Sequence, residues 1–360
     1  MRERIGIAMV SVVLVVPGPL DARTGGTIYD LRIVAGLQQG GWKVDVLELD
    51  ASFPYPTSRS LEQADAAFAA IPTGSIVIVD SLALGAIPDL ITREAERVRV
   101  VALVHQLLAT AVGLDSNTMA RFEEAEHRAL KAAALVIVTS HAAQDLLARY
   151  AVASDRIVII EPGTDAAPIA RGSSAPSPLQ LLSVATVHPG KGHEMLLESL
   201  AAVPCRSWHL TCAGSLTRNA RTAGRLRDVV NSLGLGDRVS LVGALDQKAL
   251  AICYDAADVF VLATEQETYG MAVAEALACG LPVVATMTGA IPDLVGETAG
   301  LLVPVGDKQG LIDALRRVIE DPALRSSLAE GACRARQRLT SWDEASDRMS
   351  AALHVLIVDE

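Results

Sequence analysis

The stretch Val259-Phe-Val-Leu-Ala-Thr-Glu-Gln-Glu267-Thr-Tyr-Gly270-Met-Ala-Val-Ala-Glu275-Ala-Leu-Ala-Cys-Gly280-Leu-Pro-Val-Val-Ala-Thr286 reads as a strand, an acidic loop, a helix and a second strand. Residues 259–263 are apolar at every position, the mark of a strand covered on both faces. Gly270 opens a helical pattern over 271–279, and Glu275 lies on that helix. Two buried strands joined through a helix run parallel, because antiparallel neighbours need only a tight turn.

The same alternation continues on both sides. Strand-like runs fall at 5–16, 43–49, 75–80, 99–104, 135–139 and 156–160, with helical segments such as 27–39 and 121–133 between them. A second series has strands at 181–187, 208–213, 238–243, 282–286 and 301–303, and helical patterns at 195–202, 220–233, 247–256, 310–319 and 324–338. A last helix-like segment covers 343–355, after Ser341-Trp342. Residues 168–178 are Pro-Ile-Ala-Arg-Gly-Ser-Ser-Ala-Pro-Ser-Pro, a composition suited to an interdomain linker. The reading is α/β, with two doubly wound parallel-sheet, Rossmann-like domains. The domains are 1–172 and 173–340, followed by a helix in 341–360.

Composition narrows the function. The 360 residues carry 31 Lys+Arg against 42 Asp+Glu, a formal net charge of −11 without any basic run. That argues against nucleic acid as a partner, since such binding needs a concentrated positive surface. Charged residues at 20% and an apolar majority argue against disorder. The five cysteines (205, 212, 253, 279 and 333) form no C-x-x-C pair and read as reduced thiols in a reducing compartment. The apolar run 5–16 follows Met-Arg-Glu-Arg at signal-peptide length, but its Val and Ile content and the Pro17-Gly18-Pro19 that follows favour a buried first strand. No stretch reaches the ~20 apolar residues of a spanning helix. Residues 59–70 carry Glu62 and Asp65, so the first half offers no basic amphipathic helix for a membrane surface. The expected location is the cytoplasm.

Ligands of such sheets bind beyond the carboxyl ends of the strands, so the loops there carry the chemistry. Gly25-Gly26 follows the first strand and lets backbone N–H groups approach a phosphate, although the pair reads equally as a tight turn. His105 ends the strand 99–104 and suits a sugar hydroxyl or a transferred proton, or a structural role. Lys191, between Gly190 and Gly192 after the strand 181–187, suits phosphate oxygens or is a solvated turn lysine. Neither G-x-G-x-x-G nor G-x-x-x-x-G-K-[ST] occurs in the first glycine loop, which removes the dinucleotide and P-loop fingerprints there. No set of histidines and carboxylates has the spacing of a metal site.

The segment 267–286 resembles the E-x7-E signature of retaining glycosyltransferases of family 4, and Thr288-Gly-Ala-Ile-Pro292-Asp293 resembles the loop that follows it. Gly25-Gly26, His105, Glu161-Pro-Gly163-Thr-Asp165 and Lys191-Gly192 match further motifs of that family in the same order. The resemblance implies the GT-B fold, two facing Rossmann-like domains with an interdomain cleft, and a final helix that crosses back to the first domain. It implies transfer of a hexose from a nucleotide-diphosphate sugar to a hydroxyl acceptor, with retention and without metal or other cofactor. Lys191, Glu267 and His105 would be the catalytic residues. Gly25, Gly26, Thr186, Thr268, Tyr269, Gly270, Met271 and Glu275 would bind the donor, Glu275 through its ribose hydroxyls.

Three departures accompany the match. Thr186 stands where most members have an arginine five residues before the lysine; His188, Arg218 and Arg23 are candidates to replace that cation. Thr268-Tyr269 replaces the usual Gly-Phe, a change expected at the edge of the sugar pocket, and Asp293 replaces a glutamate. Thr186 also motivates the alternative of a catalytically weak nucleotide-sugar binding protein. The acceptor is not identified by residue types.

Overall fold

The structure, a computed structural model, describes residues 11–22, 24–173 and 178–358. It separates into two units, one within Met1–Gly163 and Thr340–Glu360 and the other spanning Thr164–Leu339.

Unit 1 holds a parallel sheet of β1 (Ser11–Val16), β2 (Lys43–Glu48), β3 (Ile76–Asp80), β4 (Arg99–Val104), β5 (Leu135–Val138) and β6 (Ile157–Ile159), in the order β2-β1-β3-β4-β5-β6. Residues 5–10 of the expected first strand lie outside the described residues. Unit 2 repeats the plan with β7 (Leu179–Val184), β8 (Trp208–Ala213), β9 (Val239–Gly243), β10 (Val259–Leu262), β11 (Val283–Thr286) and β12 (Gly300–Val303), in the order β12-β11-β10-β7-β8-β9. The α/β, doubly wound reading therefore holds in both halves.

The unbroken apolar strands have a packing cause. In β1, Val12, Leu14 and Val16 enter one core layer while Val15 enters the layer on the opposite face. In β10, Val259 and Val261 face one layer, and Phe260 and Leu262 the other. With helices on both sides, every position of β10 is buried and in β1 only Ser11 is exposed. Each fully buried Val, Leu or Phe contributes about 1.5–3 kcal/mol relative to exposure.

The first helix, Gly25–Gln39, and the last, Trp342–Val358, pack together in unit 1. Ala345, Met349, Ala352 and Leu353 join Tyr29, Ile33, Leu37 and Trp42 in one cluster. Trp42 Nε1 donates to Ser350 Oγ at 2.9 Å, and a Cβ at Gly36 would overlap the Ser346 side chain. A glycine is required there by close approach of the two helices.

Residues 168–173, the described beginning of the stretch 168–178 that reads as linker by composition, pack as part of unit 2, which starts at Thr164. The N–H groups of Arg171 and Gly172 both donate to Asp255 O at 2.9 Å, and Ala170 N–H donates to Cys279 O at 2.8 Å. Ser173 N–H donates to Asp258 Oδ1 at 2.9 Å. Pro, Gly and Ser signal irregular backbone, which is what forms, but irregular backbone can still be hydrogen-bonded, here to helix-terminal carbonyls and the Asp258 carboxylate. Residues 174–177 lie outside the described residues. Among the described residues no helix is long and apolar enough to cross a membrane, and the five cysteines are free thiols.

Candidate active site

In unit 2 the strand order reverses between β7 and β10, where Leu181 pairs with Val259 and Leu182 with Phe260. The loops leaving these two neighbours diverge to opposite sides, and the gap between them is where open α/β sheets take ligands. The lysine loop follows β7 and the acidic loop follows β10, so the fold brings both motifs to that point.

The two loops are tied together. Glu265 N–H donates to Gly190 O at 2.8 Å, and Thr264 Oγ1 lies 3.1 Å from the same carbonyl. The Thr286 hydroxyl donates to Thr264 O, fixing the acidic loop to the next strand. Gly192 has φ +64°, and a Cβ there would overlap the Ala263 carbonyl. Glycine at 192 thus serves both a left-handed backbone and close contact with the end of β10. The outcome is that Lys191 Nζ lies 2.7 Å from Glu267 Oε2, both side chains about a quarter exposed, at 28% and 21%.

Beyond Glu267 the backbone enters the helix Met271–Ala278 through Gly270, whose φ is +102°. No side chain caps this helix, so its first-turn N–H groups face forward without intrahelical acceptors, a setting that favours an anion. Glu275, on the helix, is half-buried and accepts a 2.8 Å hydrogen bond from Tyr254 Oη. Tyr254 belongs to the helix Gln247–Ala256 and is buried. Burial, reinforced by the Glu275 charge, pushes its phenol well above the ordinary value, so it stays a donor. The Tyr254 contact was invisible to sequence reading, because a tyrosine at a buried helical position has a sufficient explanation as core. Tyr269 is 4% exposed and packs with Ala274 and Ala290. Thr268 and Met271 are half-buried beside it.

Thr186 is half-buried in the loop after β7. Of the cations considered to replace the arginine there, His188 has its pKa lowered by burial and by the neighbouring Lys191. Arg218 is exposed, and Arg23 lies outside the described residues. His193, next to the lysine loop, is buried, and its pKa is lowered to about 4 by burial and by Lys191.

In unit 1, Gly25 and Gly26 are the first two residues of the first helix, not a turn ahead of it. Thr24 caps the helix: its hydroxyl accepts from Thr27 N–H, and Thr27 Oγ1 accepts from Thr24 N–H. Helix geometry leaves the N–H groups of Gly25 and Gly26 without intrahelical acceptors. The reason for glycine at 26 is contact, since a Cβ there would sit 3.3 Å from Cδ2 of His105. His105 follows β4, and its Nε2 is 2.9 Å from Asp30 Oδ1 and 3.7 Å from Asp80 Oδ2. Asp30 lies on the first helix and Asp80 ends β3. One ligand atom from each of these three side chains lies within 4.8 Å of the others, so the fold assembles a His and carboxylate group that no sequence spacing announced.

Burial alone would depress the His105 imidazole, but the Asp30 charge and hydrogen bond, with Asp80 behind them, hold it above its ordinary value. Burial raises the Asp80 carboxyl to about 7; His105 opposes the rise and Asp30 adds to it.

Comparison with known proteins is consistent with this arrangement. The family model described as glycosyl transferases group 1 matches residues 169–334, and that described as glycosyltransferase family 4 matches 75–167. D-inositol 3-phosphate glycosyltransferase of Xylanimonas cellulosilytica is 31% identical over 232 residues, 60% of this chain and 55% of that protein. The Saccharomonospora viridis protein of the same name is 32% identical over 60% of this chain and 54% of its own length. The chain thus spans about half the length of these curated relatives. Among solved structures, sucrose-phosphate synthase from Thermosynechococcus elongatus is similar with a TM-score of 0.84 and 25% identity, covering 98% of this chain and 100% of that one. Anabaena HepE in complex with UDP-glucose shares the fold, with a TM-score of 0.74 at 19% identity over 96% of this chain and 99% of that one.

Proposed function

The chain belongs to glycosyltransferase family 4 and has the GT-B fold, and from that premise we propose that it moves a hexose from a nucleotide-diphosphate sugar to a hydroxyl acceptor, with retention at the anomeric carbon. The observation that carries the proposal is the Lys191 to Glu267 pair at 2.7 Å, at the point where the strand order of unit 2 reverses.

In this reading the bond between the anomeric carbon and the diphosphate oxygen breaks, and the acceptor oxygen bonds to that carbon on the same face. The acceptor proton leaves with the diphosphate. Negative charge grows on the departing oxygen, so preset cations and N–H donors are the main requirement. Lys191 supplies the mobile charge, and the N–H groups at Gly270 to Ala272 supply fixed ones. Glu267 binds hydroxyls of the donor sugar, and Glu275 binds the ribose. Within unit 1, His105 and the Gly25-Gly26 N–H groups are the substrate-binding groups that the family resemblance suggests. Lys191 and the helix N-termini do the work of a divalent cation, so no metal takes part.

The test is a panel of UDP-, GDP- and ADP-hexoses with assay of nucleoside diphosphate release. The HepE complex places UDP-sugars first, and the name of the curated relatives places D-inositol 3-phosphate among the first acceptors. Release with at least one sugar supports the proposal. Tight binding without release favours the second reading, a nucleotide-sugar binding protein of weak turnover, which Thr186 in place of an arginine motivates. Neither binding nor release overturns both.

A further inference from the structure

We propose that Asp30 is a positioning residue that holds His105 as an imidazolium, its Nε2–H committed to Asp30 Oδ1, so that Nδ1–H is the donor the ring offers to a substrate oxygen. The inference rests on the glycosyltransferase reading for its catalytic half and on geometry alone for its structural half.

Asp30 is out of place as a core residue. It is 1% exposed on a helix face otherwise occupied by Tyr29, Ile33 and Leu37. A buried carboxylate is costly unless a charge and hydrogen bonds compensate it. Glu126, the buried carboxylate of the helix Ser116–Ala132, shows what structural compensation looks like. It accepts from Leu108 N–H, Ala109 N–H and Tyr150 Oη. Asp30 has nothing comparable: its Oδ2 is buried without a hydrogen-bond partner among the described residues, and its Oδ1 meets His105 Nε2 at 2.9 Å. Its compensation comes from the ring.

The surroundings fix the sign of the charge. The groups packed on His105 are Asp30 and Tyr29 from the first helix and Asp80 from the end of β3. Tyr29 meets the ring edge-on at 5.0 Å between centroids and donates its hydroxyl to Ile160 O at 3.2 Å, so it brings no charge. Asp80 anchors itself by accepting from Leu82 N–H through Oδ1 at 2.7 Å, and turns Oδ2 toward Nε2 at 3.7 Å. A neutral ring would leave two buried carboxylates facing each other uncompensated. An imidazolium satisfies Asp30 directly and lowers the cost of Asp80. The direction of the His105 shift agrees with this arrangement. On the helix side, a Cβ at Gly26 would lie 3.3 Å from His105 Cδ2, so the glycine leaves room for the ring.

The deciding measurement is a 15N-imidazole NMR titration of the full chain, with the His105 signal assigned by its loss in His105→Gln. Both ring nitrogens of His105 are expected to be protonated at pH 7.5. In Asp30→Asn, which keeps the shape and an acceptor oxygen, the midpoint falls by at least about one pH unit. The kinetic partner is the pH profile of nucleoside diphosphate release. Its descending limb, where the imidazolium is lost as pH rises, moves to lower pH in Asp30→Asn by the same amount. A His105 ring neutral at pH 7.5 in the unaltered protein overturns the inference, whether or not the variant folds. An NMR midpoint that moves while the kinetic limb stays overturns the positioning role. If no nucleotide sugar is turned over, the glycosyltransferase reading has failed, and the titration still decides the charge of the ring.

Discussion

Lys191 Nζ and Glu267 Oε2, 76 positions apart in sequence, meet at 2.7 Å because their loops leave adjacent parallel strands. Each side chain restrains the other, so neither is a free surface charge. Lys191→Ala and Glu267→Ala are each expected to lower the rate of nucleoside diphosphate release about tenfold or more, a loss of about 1.4 kcal/mol of transition-state stabilisation. The double variant is expected to fall by less than the product of the two losses, since the residues act as a unit. Steady-state kinetics of the four proteins checks this, and full activity in both single variants would remove the site assignment.

Tyr254 supports Glu275 from behind through a 2.8 Å hydrogen bond. Tyr254→Phe is expected to raise KM for the donor by about tenfold, the scale of one hydrogen bond to a charged group, with a smaller change in kcat. In a Glu275→Gln background the same change has little further effect if the tyrosine acts through the carboxylate. Equal losses in the two backgrounds would show that Tyr254 acts by packing alone.

His193 sets an acid limit on unit 2. Its pKa is lowered from 6.5 to about 4 by burial and by Lys191, so folding favours the neutral ring. For a lowered pKa, the contribution to stability is complete above 6.5 and is lost as pH falls toward 4. Between pH 7 and pH 5 the loss is about 2 kcal/mol. Urea unfolding followed by Trp208, which lies in unit 2, is expected to show that loss in the parent and not in His193→Leu. Asp80 and His105 act in the opposite sense in unit 1: Asp80 is raised to about 7, so its contribution is lost as pH rises toward that value, and His105, raised above its ordinary value, loses its contribution as pH rises beyond the ordinary imidazole range.

Chelation is expected to leave the rate unchanged. In the proposed reading, Lys191 and the N–H groups of the Met271 helix supply the charge a divalent cation would otherwise give to phosphate. A strict requirement for Mg²⁺ or Mn²⁺ in assays after treatment with chelator would contradict this.

What the sequence disclosed depended on whether neighbours in space were also neighbours in a motif. The strands of both sheets were legible because continuous apolar runs have one simple explanation, burial on two faces. Lys191, Glu267 and Glu275 were singled out by their resemblance to family motifs; their positions after strands alone read as readily as a solvated lysine and surface acids. Asp30 and Asp80 were not. Their meeting with His105 joins residues from a helix and two different strands, and a lone aspartate carries no sign of burial. The Pro/Ser run around 168–178 reads as an interdomain linker by composition, which has no memory of hydrogen-bond partners such as Asp255 O and Cys279 O. The place of Gly25-Gly26 within the first helix was also hidden. Glycine is a poor helix former, and at Gly26 the close approach of the His105 ring, 3.3 Å from where a Cβ would lie, favours it there.

The packing of the Trp342–Val358 helix against Gly25–Gln39 also orders events on the ribosome. Unit 2 is one uninterrupted segment, so all six of its described strands are made before the residues that cover Tyr29, Ile33 and Leu37 exist. Until those residues emerge, unit 1 carries an uncovered apolar face that nascent-chain chaperones can recognise. The unit whose strands are synthesised first is therefore completed last.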